Sequence, residues 1–394
     1  MNRALFIPVI AIVSVVGAAT AFSLYVPSSA SAYEIDACLQ KGAQKEQCLN
    51  DLVEKAGSES VEAGFDMLAA VYARDREFAN SCHGTTHTLG EFAYEDFAAD
   101  TDFVLSPKTA YCGFGFFHGF MEALLAKNGD IAEARRFCDW ADGDLQDATA
   151  GVSFACYHGI GHGIIDGSDP ETWGDAQAFI AAGLRLCDTL GDNLEHKTRC
   201  ASGVFNSLGV AYFEPKYRLP LEKDDPYAVC RAQQLEYQKK ACYDQMNSYV
   251  VPATQSFAEA LAVAAATPEI EYRQLAVATV AGLAANETLA KGRDAAADLR
   301  ACGALLVELR ETCSRGFANG LIEFGLPGKE FDIALAACAA SGDLAKSCFE
   351  GLSHAAHDRV NRETQEKVCA AMRATDERYG RTCDNIINGR ATDA

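Results

Sequence analysis

The sequence predicts an all-α fold, an α-solenoid of disulfide-stapled helical-hairpin repeats behind an N-terminal targeting segment. Three observations carry this prediction. The 394-residue chain is rich in helix formers, has only 10 prolines, and shows no β-hairpin turn signals at regular spacing. Most of its 16 cysteines fall into close pairs that bracket short polar stretches. The second cysteine of each pair recurs, together with Cys82 and Cys112, at intervals of roughly 30–45 residues, the period of an α-hairpin repeat.

Taken in order, residues 1–32 read as a leader. Arg3 precedes an apolar run over residues 4–26, and Ala30-Ser31-Ala32 has the small-x-small pattern of a signal-peptidase site. The run is close to membrane-spanning length. The segment is therefore a signal peptide cleaved near Ala32 or an N-terminal membrane anchor. Both readings export residues 33–394, a single helical repeat domain, to a periplasmic or extracellular setting. Nothing later in the chain is apolar enough to span a bilayer, so contact with a membrane runs only through an uncleaved leader.

The formal net charge is −21, and −22 once Arg3 is removed with the leader. Such a balance excludes nucleic-acid binding through phosphate neutralisation and attraction to anionic lipid.

In an exported chain the cysteines are expected as disulfides. Seven close pairs are predicted: Cys38–Cys48, Cys138–Cys156, Cys187–Cys200, Cys230–Cys242, Cys302–Cys313, Cys338–Cys348 and Cys369–Cys383. Each ties a helix ending near its first cysteine to a helix beginning near its second. Cys82 and Cys112 remain and pair with each other, clipping neighbouring repeats. The long gap between Cys242 and Cys313 holds a cysteine-free unit at about residues 255–295, which gives about ten hairpins in all. Glycine usually stands three residues after the repeat cysteine, at Gly115, Gly159, Gly203, Gly316 and Gly351. A glycine inside a helix costs about 1 kcal/mol relative to alanine. Several in register therefore mark close helix contact or room for a ligand.

Seven of the eight histidines follow repeat cysteines, and an acid stands four residues beyond a histidine in each case: His83, His87 and Glu91; His118 and Glu122; His158, His162 and Asp166; His354, His357 and Asp358. Residues four apart share a helix face. In the repeat register, His87, His118 and His162 form a column across three consecutive units, at residues 78–170. His83 and His158 stand one turn earlier, and Glu91, Glu122 and Asp166 one turn later. These five imidazoles and three carboxylates are the expected ligands of a divalent transition metal, with zinc, copper and iron all suited to the set. The acids would complete the coordination sphere, orient the imidazoles, or act as general base for a metal-activated water or dioxygen. His354, His357 and Asp358 join this site only if the solenoid closes into a toroid. His196 reads as a solvated residue. Phe114, Phe116, Phe117 and Phe120 read as core.

The competing reading is a helical-repeat scaffold that presents a concave face to a protein or peptide, with structural His–acid pairs. A carboxylate-pair glycosidase drawn from Glu91, Glu122 and Asp166 leaves the histidines unexplained. Cys-x-x-Cys, His-Glu-x-x-His, Gly-x-Ser-x-Gly and phosphate-loop motifs are all missing from the sequence.

Overall fold

A computed structural model describes residues 29–390, apart from 100–102, 146–147, 167 and 222–224. Of the expected leader, residues 1–28 lie outside the described residues, and residues 29–32 open the first helix. Every regular element among the described residues is helical. None of the described helices is long and apolar enough to cross a membrane.

The helices follow one another largely in pairs. First come α1 (Ser29–Leu39) and α2 (Lys45–Glu59), then α3 (Val61–Arg74) and α4 (Ala79–Ala98). Next, α5 (Tyr111–Asn128) follows a 3-10 turn at Pro107–Ala110. The pairs α6 (Ile131–Leu145) and α7 (Val152–Asp166), and α8 (Ala176–Cys187) and α9 (Leu194–Ala211), come after it. A short α10 (Ala228–Arg231) leads to α11 (Glu236–Gln245) and α12 (Asn247–Ala253). The cysteine-free stretch forms α13 (Phe257–Ala265) and α14 (Ile270–Ala290). The chain ends with α15 (Ala295–Arg300) and α16 (Val307–Glu323), α17 (Glu330–Ala339) and α18 (Ala345–Arg359), and α19 (Arg362–Thr375) and α20 (Glu377–Ile387).

Every cysteine is bonded, with Cα atoms 5.3–5.7 Å apart in Cys38–Cys48, Cys82–Cys112, Cys138–Cys156, Cys187–Cys200, Cys230–Cys242, Cys302–Cys313, Cys338–Cys348 and Cys369–Cys383. Closing loops of this size stabilises a fold by about 2–4 kcal/mol per bridge, chiefly by restricting the unfolded chain.

The later helix of each unit packs on that of the next. Contacts run α4 to α5, α7, α9, α11, α14, α16, α18 and α20 in turn. In addition, α14 packs against α4 and α16 against α5. The Thr149 hydroxyl, just before α7, donates to the Arg359 carbonyl at the end of α18 (2.8 Å).

Glycine sets how closely these helices cross. A methyl group at Gly119 would lie 1.9 Å from the His87 carbonyl oxygen, and one at Gly203 would lie 1.9 Å from that of His158. Both positions exclude any larger residue. Of the two meanings glycine could carry, close contact is the one observed. Phe116, Phe117 and Phe120 are fully buried as core, and Phe120 stacks on Phe137 at 3.9 Å.

Candidate metal centre

Three helices packed side by side, α4, α5 and α7, bring five histidines together. In α4, His83 and His87 lie one turn apart and face α5. His118 comes from α5, between its two neighbours, and His158 and His162 face it from α7. The glycine crossings at Gly115 and Gly119 press α5 against α4: methyl groups there would meet the His83 and His87 carbonyl oxygens at 2.5 and 1.9 Å. Gly159 and Gly163 do the same for α7 on α5, toward Phe117 and Met121.

The ring nitrogens fall into two triads, His83–His87–His118 and His118–His158–His162, within each of which the nitrogens lie no more than 4.8 Å apart. His118 belongs to both. Its ring stacks on His162 at 4.2 Å and on His158 at 4.8 Å, and meets His83 and His87 edge-on at 4.8 and 5.0 Å. His118 and His162 are buried, while His83, His87 and His158 keep a partial opening to solvent.

Partners fix which nitrogen is bare. His83 Nδ1 lies 2.8 Å from the Cys112 carbonyl oxygen, which can only accept, so Nδ1 carries the proton and Nε2 the lone pair. The Ser202 hydroxyl donates to the Arg199 carbonyl (2.7 Å) and accepts from His158 Nδ1–H (2.7 Å), which leaves His158 Nε2 bare. His87 Nδ1 donates to Glu122 Oε2 (3.2 Å). His87 Nε2 is then buried with no hydrogen-bond partner. Buried polar atoms are rarely left so. The bare His83 Nε2 lies 3.2 Å from His118 Nδ1, and the bare His158 Nε2 lies 3.2 Å from His162 Nε2. Ligands at 2.0–2.1 Å from a tetrahedral ion are themselves about 3.4 Å apart, close to these spacings.

Glu122 serves both triads. Its Oε2 meets His87, and its Oε1 lies 3.6 Å from His162 Nδ1, which also lies 3.0 Å from Ser207 Oγ. Burial pushes its carboxyl upward, but the facing His162 and His87 outweigh this and hold it well below the usual carboxylate range. The imidazoles shift the other way. Burial first, and then the neighbouring rings, lowers His83 to about 3 and takes His118 and His158 well below their ordinary value. These three rings are therefore neutral at neutral pH, as metal ligands must be.

Backbone strain sits at the edge of the site. Cys112, Gly113 and Phe114 all have left-handed φ, of 54°, 73° and 62°. For the two non-glycine residues this costs about 1–2 kcal/mol each. The turn aims the Cys112 carbonyl at His83, and the Cys82–Cys112 bridge anchors it to α4.

Not every sequence-predicted residue arrives here. Glu91 is exposed on α4 and belongs to neither triad, and the Asp166 side chain lies outside the described residues. His354 and His357 are exposed on α18 and join neither triad; His357 instead pairs with Asp358 at 2.7 Å. Near the end of α18 it is Arg359 that turns to the neighbouring helix, donating to Glu323 (2.8 Å) and Asn319 (3.3 Å). His196 is half-buried rather than solvated, because it stacks on Tyr157 at 3.8 Å. Ser202, Ser207 and the Cys112 carbonyl are partners of the histidines that the His–acid spacing does not indicate. Ser202 could have been found, since it occupies the column position of His83 and His158 in the next unit.

No family model, curated protein or solved structure matches this chain.

Proposed function

We propose that this chain is an exported metal-binding protein that holds a divalent transition metal, of the zinc, copper or iron class, on His83, His87, His118, His158 and His162. The observation that carries the reading is the set of bare ring nitrogens converging between three helices, above all the buried and unpartnered His87 Nε2. Imidazole suits these metals, and with every cysteine in a disulfide no thiolate competes for the ion. Glu122 orients His87 and His162 through their Nδ1 atoms, the familiar role of a carboxylate behind a metal-bound histidine. That engagement makes Glu122 an orienting residue, not the general base. An ion held by one triad of imidazoles keeps a coordination position for water or dioxygen. The eight disulfides fit an oxidising compartment, periplasmic or extracellular. The contacts of α14 with α4 and α16 with α5 support an array that curls back on itself around the histidine-bearing helices.

The test is elemental analysis of the full chain expressed in an oxidising compartment, beside His87→Ala, His118→Ala and His162→Ala. Stoichiometric metal in the wild type, lost in folded variants, supports the reading. A folded wild type that takes up no added zinc, copper or iron overturns it.

A further inference from the structure

The geometry points to two metal ions rather than one, bridged by His118. This rests on the metal-binding reading above and adds its stoichiometry and architecture. Five imidazoles exceed the needs of one tetrahedral ion. They also do not converge as a group of five: the triads share His118 alone, and the His87 and His162 rings stand 6.1 Å apart on its two sides.

The nitrogens divide accordingly. His118 Nδ1 faces His83 Nε2 at 3.2 Å, so the first ion takes His83 Nε2, His87 Nε2 and His118 Nδ1. The second ion would take the far nitrogen of the same ring, Nε2, together with His158 Nε2 and His162 Nε2, which lie 3.2 Å apart. In the metal-free chain the bare His83 Nε2 accepts from His118 Nδ1–H across the 3.2 Å gap. In the loaded chain His162 carries its proton on Nδ1, which faces Glu122 Oε1 and Ser207 Oγ, and leaves Nε2 for the second ion. His118 releases its only ring proton to solvent and becomes an imidazolate, one nitrogen on each metal.

The arrangement is close to symmetric about α5. Glu122, one turn after His118, reaches one histidine of each triad, while the two outer histidines are held by Cys112 O and Ser202 Oγ.

Copper(II) is the probe that separates one ion from two, because a bridging imidazolate couples the two unpaired spins. The metal-free full chain is titrated with Cu(II), freed of loosely held ion by gel filtration, and followed by elemental analysis and electron paramagnetic resonance. Two ions are expected per chain, with the integrated signal at two equivalents falling below that at one. His83→Ala and His158→Ala should each retain one uncoupled ion. Saturation at one ion, or two ions whose signals simply add, overturns the bridge and leaves the metal reading standing. No bound copper overturns the bridged pair, and no bound copper, zinc or iron overturns the metal reading with it. The wild-type titration decides the matter even if His118→Ala does not fold.

Discussion

At the scale of single residues, Glu122 is the most economical test of how the site is held. Glu122→Gln keeps size and helix but removes the charge facing His87 and His162. Metal affinity should fall about 10–100-fold, the usual effect of losing an orienting partner, and the metal-free form should melt lower near neutral pH, because an ionised carboxylate held below its ordinary range stabilises the fold. Competition with a chelator of known affinity measures this; undiminished affinity would remove Glu122 from the site. The histidines were legible in the sequence because a repeat puts equivalent residues into columns, and the cysteines mark the register. Glu91 and Asp166 looked equivalent to Glu122, yet only an acid on the middle helix has histidines on both sides. Cys112 was illegible for a different reason. A backbone carbonyl carries no sequence signal, and the left-handed turn that aims it includes two non-glycine residues.

At the scale of the helices, the site depends on close crossings. A methyl at Gly119 or Gly203 would overlap the carbonyl oxygen of His87 or His158 at 1.9 Å, and backbone cannot swing aside as a side-chain tip can. Gly119→Ala should therefore destabilise the chain by about 1–3 kcal/mol, as overpacking does, and weaken metal binding by parting α4 from α5. Gly143, where a methyl would meet nothing within 4 Å, is the control. Denaturant unfolding of Gly119→Ala and Gly143→Ala should separate them, the second matching wild type or exceeding it by up to about 1 kcal/mol. The glycine column was visible in the sequence, but its meaning was not. A small residue leaves equal room for a ligand and for a neighbouring backbone, and only the packing distinguishes them.

At the scale of the whole molecule, the disulfide pattern and all-helical content were legible because cysteine spacing and composition speak directly of both. The course of the array was not, since contacts such as α14 with α4 join residues far apart in sequence. A pH dependence follows from the buried site. In the metal-free chain His83 titrates at about 3 in the folded state, against an ordinary value near 6.5, and His118 and His158 move in the same direction. Below about pH 6.5 the unfolded chain binds protons that the folded chain refuses, so stability should fall as the pH drops toward 4. Glu122, also lowered, adds to the loss at the acid end. Glu330, pushed up to about 7 by burial, acts oppositely between about pH 4.5 and 7, and Asp244, also raised by burial, acts with it, but these are two groups against three histidines and Glu122. Melting temperatures across this range should decline toward acid; a flat or rising profile would contradict the buried, neutral cluster. The central claim is tested most directly by anomalous X-ray diffraction from crystals of the metal-loaded chain. Anomalous peaks are expected among His83, His87, His118, His158 and His162. Peaks confined to other places on the acidic surface, with these five rings empty, would contradict it.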